Sequence, residues 1–180
     1  YFMRLPAYQH GRYIIPVLPI LYFWGLLGLH ESLHKIKVFP ISLLWSSVLG
    51  VLCILFSVIG ARQNAFDVYW IESQMVATAK WVRQNVPADA LLAVHDIGAL
   101  GYFAPNPIVD MAGLITPEVV PFIRDQKRLA DYLNFRSANY LIIFLNDYPN
   151  LPSQKPLLFV GGGEPGPINI ENGMRVYLWR

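Results

Sequence analysis

Three groups of residues in this chain carry side chains whose types and spacing could do chemistry. The first is His30-Glu31-Ser32-Leu33-His34, which fits the pattern H-E-x-x-H. On a helix, histidines four apart face the same way and can share a zinc ion, while the glutamate acts as general base on the bound water. Intramembrane metalloproteases carry such a motif in a membrane helix. A zinc site also needs a third protein ligand at the same depth. The apolar run that follows, Ile41–Ile59, contains no Asp, Glu or His. Lys35 and Lys37 come directly after the motif, and Pro40 breaks any helix there. The sequence therefore favours the plainer reading, a polar turn between two helices, and no metal is assigned to this chain.

The second group is His95-Asp96, which closes the apolar stretch Leu91–Val94, together with Asp110 in the stretch Ile108–Met111. Ligands of open α/β sheets bind beyond the carboxyl ends of strands, so these three residues are the candidates for a polar site. The alternative is structural, with Asp96 capping a helix and Gly98 and Gly101 allowing close packing. That use of an aspartate is the commoner one and is favoured here. Gly98-x-x-Gly101 lacks the spacing of a dinucleotide loop. The third group, Arg12-Tyr13, precedes an apolar run. An arginine at headgroup depth can hold a lipid phosphate with its planar donors. Its ordinary use is to snorkel beside an anchoring tyrosine. No Ser/His/Asp triad and no closely spaced acid pair is present. Cys53 is the sole cysteine, which excludes an internal disulfide and a C-x-x-C redox pair.

The elements that must position these residues follow from the apolar pattern. Tyr13–Leu29 is 17 residues without a charge, and Ile41–Ile59 is 19. A bilayer core of about 30 Å needs about 20 helical residues, with a range of ~17–25. Both runs qualify, and the segment 30–37 becomes a tight turn between them. The first 62 residues are thus expected to form a transmembrane helical hairpin. Pro16 and Pro19 fall in the first turns of the first helix, where proline is tolerated. Gly25 and Gly28 allow a neighbouring helix to approach, and Tyr13, Tyr22, Trp24 and Trp45 suit the interfacial belts. Pro40 stands where a helix-starting proline belongs.

Composition agrees. Of 180 residues, 54% are hydrophobic and 14% charged, against about 25% charged in an ordinary soluble domain. Mean hydropathy is +0.38. Disorder is excluded by the same figures. The net charge of +2 hides an asymmetry, since residues 1–62 hold five Lys/Arg and one acid, while 63–180 hold nine and eleven. No basic cluster sits among aromatics, so a nucleic-acid partner has no support. The chain opens Tyr1-Phe2 rather than on methionine, and we read it as a piece of a longer protein.

After Gly60 the character changes, and residues 63–180 read as a small soluble domain. Val68, Ile71, Met75, Val76, Ala79, Val82 and Val86 recur at helical steps over 67–86, and Pro87 stops that helix. Strands are expected at 91–94, 108–111, 140–145, 157–160 and 174–179, with helices at 97–103, 117–125 and 128–135. The apolar strand at 140–145 should be central, and Asn172-Gly173 is a hairpin signal. The alternation implies an α/β fold with a mixed, partly parallel sheet and an antiparallel C-terminal edge.

Four strings in this order resemble a known group: His10-Gly11-Arg12-Tyr13-Ile14-Ile15-Pro16-Val17-Leu18-Pro19, Trp81-Val82-Arg83-Gln84-Asn85-Val86-Pro87, His95-Asp96-Ile97-Gly98-Ala99-Leu100-Gly101-Tyr102-Phe103 and Val109-Asp110-Met111-Ala112-Gly113-Leu114. They resemble the C-terminal part of bacterial polytopic glycosyltransferases of the GT-C type, which include protein-mannosyltransferase-like and aminoarabinose-transferase-like families. The resemblance implies transfer of a sugar from a polyprenyl-phosphate donor to an acceptor outside the cytoplasmic membrane. It implies a catalytic acidic residue, and any divalent metal, in a first outer loop on N-terminal membrane helices of the same protein. Nothing here matches that loop, so no catalytic residue is carried over and the chain alone is expected to be inert. The implied topology puts the α/β tail outside, the 30–37 turn in the cytoplasm and Arg12 on the outer side. A zinc-dependent membrane protease using His30, Glu31 and His34, and a membrane-anchored module binding a glycan or partner, are the alternatives.

Overall fold

The computed structural model of the protein describes residues 16–34, 41–162 and 173–180. Arg12 and Tyr13 lie outside the described residues. The chain divides into two compact units, 1–59 and 60–180.

In the first unit, helix α1 spans Leu18–His34. Its apolar part, Leu18–Leu29, is shorter than a bilayer core requires. The H-E-x-x-H residues continue this helix as its last turn instead of forming the expected tight turn. No helix breaker intervenes before Pro40, and the Ser32 hydroxyl donates back to the Gly28 carbonyl at 2.7 Å. Helix α2 runs Ile41–Ile71. Among the described residues, one helical stretch is long and apolar enough to cross a membrane, Ser46–Asn85, which begins within α2.

The sequence pattern ends one helix near Gly60 and begins another at 67. Instead α2 passes through Gly60 without a break. A single glycine costs about 1 kcal/mol in a helix interior, too little to stop one. Gln63 Nε2 also donates to Asp67 Oδ1 at 3.0 Å across one turn. The break in regularity comes later, as a π-helical segment Glu72–Val76, followed by α3, Ala77–Asn85. The wider turn shifts the helical phase. Val76, Ala79, Val82 and Val86 are buried, whereas Val68 and Ile71, placed on the same face by the sequence pattern, are exposed.

The rest of the second unit is a five-stranded sheet with helices on both faces. Strands β1 (Leu92–Val94), β2 (Ile108–Asp110), β3 (Tyr140–Phe144), β4 (Leu157–Val160) and β5 (Met174–Leu178) lie in the order β2-β1-β3-β5-β4. β1 runs parallel to β2 and β3, while β5 is antiparallel to β3 and β4. The mixed sheet expected from sequence is present, with β3 at its centre. Side chains alternate across it. Leu92, Val94, Ile142, Met174 and Val176 pack under α3 and α4 (Ile97–Phe103). Ala93, Leu141, Ile143, Tyr177 and Trp179 pack under α5 (Gln126–Phe135) and a 3-10 turn, Pro117–Phe122. Asp125 caps α5, its Oδ1 accepting from the amides of Lys127 and Arg128 at 3.1 Å.

Candidate functional site

Parallel strands deliver their carboxyl ends to one edge of a sheet. Here Val94 of β1 stands opposite Asp110 of β2 and Ile142 of β3. The loops leaving these strands therefore gather His95, Asp96, Asp110 and the turn after β3 at that edge.

Asp110 is fully buried. Its Oδ1 accepts from the Ala112 amide and its Oδ2 from the Ile115 amide, both at 2.8 Å. Its own amide donates to Thr116 Oγ1 at 3.0 Å. The carboxylate thus folds the 111–116 loop back on the strand end, and both oxygens are engaged in that task. Asp96 occupies the N-cap position of α4 but makes no side-chain capping hydrogen bond. The structure therefore does not give it the capping role favoured by the sequence, and its half-buried carboxylate remains at the edge.

His95 meets a residue that sequence reasoning missed. Its Nδ1 lies 2.8 Å from the hydroxyl of Tyr148, and the two rings meet edge to face. Tyr148 is buried in the turn after β3. Burial first, then the charges of Asp147 and Asp110, push its phenol up to about 12. The hydrogen bond ties Nδ1 of His95 to the Tyr148 hydroxyl and leaves Nε2 as the second polar atom of the ring. The arrangement orients the imidazole through one of its two nitrogens. Only position in the fold could have flagged Tyr148, since it follows the central strand on the carboxyl edge of the sheet.

This geometry has a titration consequence. A phenol raised from 10.0 to about 12 favours the folded state fully below pH 10. The contribution fades between pH 10 and 12, where the unfolded chain ionises and the folded one does not. The stability difference between wild type and Tyr148→Phe should therefore narrow over that interval, as followed by denaturant unfolding in detergent. A constant difference would mean the hydroxyl is not held neutral by its surroundings.

Of the H-E-x-x-H residues, Glu31 is exposed, and the side chains of His30 and His34 lie outside the described residues. Among the described residues no group of three His, Cys, Asp or Glu could hold a metal ion. At the opposite, amino edge of the sheet, Pro87, Asp89, Asn139 and Arg180 line a shallow open depression.

Fold and edge together define a small three-layer α/β domain carried on a long helix. The chain belongs to the family described as a domain of unknown function (DUF8728), whose model matches residues 64–173. No curated protein matches the chain, and no solved structure does.

Proposed function

We propose that this chain serves as the C-terminal part of an integral membrane glycosyltransferase of the GT-C type, in the bacterial cytoplasmic membrane. The observation that carries the reading is the exposure of the apolar face of α2. Val48, Leu52, Ile54, Phe56 and Ile59 are exposed among the described residues. Isolated exposed apolar residues are ordinary, but a run of this length calls for lipid or further apolar helices. A polytopic membrane protein supplies both, and α1 would then be the other half of a transmembrane hairpin. The four sequence strings that resemble GT-C enzymes add the class. On this reading the α/β unit lies outside the membrane, and its His95, Asp96 and Tyr148 edge contacts the acceptor or the sugar. Arg12 and Tyr13 meet the phosphate of the polyprenyl donor. The catalytic base belongs to the N-terminal membrane helices of the same protein.

The test uses the protein encoded by the complete reading frame that contains this chain, purified in detergent and supplied with polyprenyl-phosphate sugar donors. The expected result is sugar release or transfer that is lost when an acid of the first outer loop is neutralised. A reading frame with no further apolar spans would overturn the assignment. Stoichiometric zinc that disappears in His34→Ala, without sugar transfer, would replace it with the protease.

A further inference from the structure

Within the second unit, the carboxyl edge of the sheet is also the edge on which the helical residues Trp70 and Gln74 pack. Three contacts within that unit fix this. Trp70 stacks on Phe144, the last residue of β3, with ring centroids 6.1 Å apart. The Met174 amide, at the start of the antiparallel β5 and opposite Phe144, donates to Gln74 Oε1 at 2.9 Å. Helix α4, which leaves the carboxyl end of β1, packs on the π-helical segment. From Trp70 to Asn85 the helix then runs toward the amino edge, and β1 returns the chain to the carboxyl edge.

On this edge the loop after β2 holds Leu114 and Ile115 in water-facing positions, 78% and 60% exposed. The loop is fastened from behind by the two Asp110 hydrogen bonds. Gly113 turns it through a left-handed backbone, φ +80°. Val120, also exposed, belongs to the 3-10 turn that follows. On the helix side of the same edge, Tyr69 and Trp70 are half-buried, and Phe66 and Ile71 are exposed. Aromatic residues and exposed aliphatics are what a membrane interface selects.

We infer that this edge lies on the bilayer surface, with Leu114 and Ile115 inserted in the interfacial layer. The inference rests on the proposed membrane placement of α2 and adds the depth of the site. With Leu114 and Ile115 as anchors, His95 and Tyr148 stand at the level of lipid headgroups. The ligand their edge would meet is then one presented by a lipid, not one diffusing in the bulk.

The chain's single cysteine makes the test direct. A nitroxide is attached to native Cys53, and, in a Cys53→Ser background, to Leu114→Cys or Phe135→Cys. Phe135 is 79% exposed but ends α5, on the amino edge, and serves as an equally apolar control. The full chain is placed in nanodiscs of phosphatidylethanolamine and phosphatidylglycerol. Relaxation by dissolved oxygen is compared with relaxation by a water-soluble nickel chelate. The expected result is an oxygen-to-nickel ratio several-fold higher at 53 and 114 than at 135. If 114 behaves like 135 while 53 remains in lipid, the surface placement is wrong and the membrane reading stands. If 53 itself behaves as in water, both fall. A nitroxide at 114 shielded from both reagents would mean that protein covers the loop, which also overturns the inference.

Discussion

Replacing Gly162 with alanine should be among the most damaging single methyl additions in this chain. Gly162 has φ +81°, and a Cβ there would lie 2.1 Å from Nε2 of Gln74. The left-handed backbone costs a non-glycine residue about 1–2 kcal/mol, and overpacking adds ~1–3. Gln74 cannot easily yield. It is fully buried, and its Oε1 is held by the Met174 amide at 2.9 Å. The Gly162 amide itself donates to the Ser73 carbonyl at 2.9 Å, so the strand end cannot slide without losing that bond. We expect a loss of roughly 3 kcal/mol in detergent unfolding, with hydrogen exchange rising in β4 and β5 before β1. Gly161→Ala meets the Gln74 carbonyl oxygen and Thr78 Oγ1, both at 2.9 Å. Because part of that clash is with backbone, Gln74→Ala should relieve Gly162→Ala in part and Gly161→Ala hardly at all. A double-mutant cycle measures the difference. Equal relief of both would show that the close approach of helix and β4 is not what limits either site.

The second large effect is expected at Asp110. Truncation to alanine leaves the amides of Ala112 and Ile115 without their acceptors. An orphaned, partly buried donor costs ~1–3 kcal/mol, so the pair should cost roughly 2–6 kcal/mol. Asparagine keeps one acceptor and should recover about half. The loss would be localised, with amide exchange at 112 and 115 accelerating while the amides of α3 hold. If exchange at 112 and 115 is unchanged in Asp110→Ala, the carboxylate is not what shapes the loop.

Much of the second unit was legible in the sequence. Tyr140–Phe144 is apolar throughout and proved central, and Leu92–Val94 and Ile97–Phe103 fall where alternation and glycines placed them. These elements are read correctly because burial on both faces leaves a local imprint. The helix through Gly60 was misread because composition changes there while the backbone has no reason to stop. The face was misread at Val68 and Ile71 of α2, not in α3, because a π turn displaces the phase between them without a residue type that marks it. Asp110 was legible as a polar residue at a strand end, but its task was not. Whether a carboxylate faces a ligand or its own loop depends on amides two and five residues on. Tyr148 was invisible because a single tyrosine in a turn has no spacing to betray it. Its partner lies 53 residues away.

The two rims of the sheet carry a further consequence. β2 and β4, the outermost strands, are three and four residues long, and each is preceded by a proline, Pro107 and Pro156. The amide of Asp110 on β2 is occupied by Thr116. Exposed strand rims are templates on which a second chain can polymerise, and short, proline-flanked, self-capped rims deny that template. Two edges this short make the folded domain a poor template for strand addition. They also restrict how it recognises others. A peptide that adds itself as a sixth strand finds only three or four residues of ladder to join at either margin.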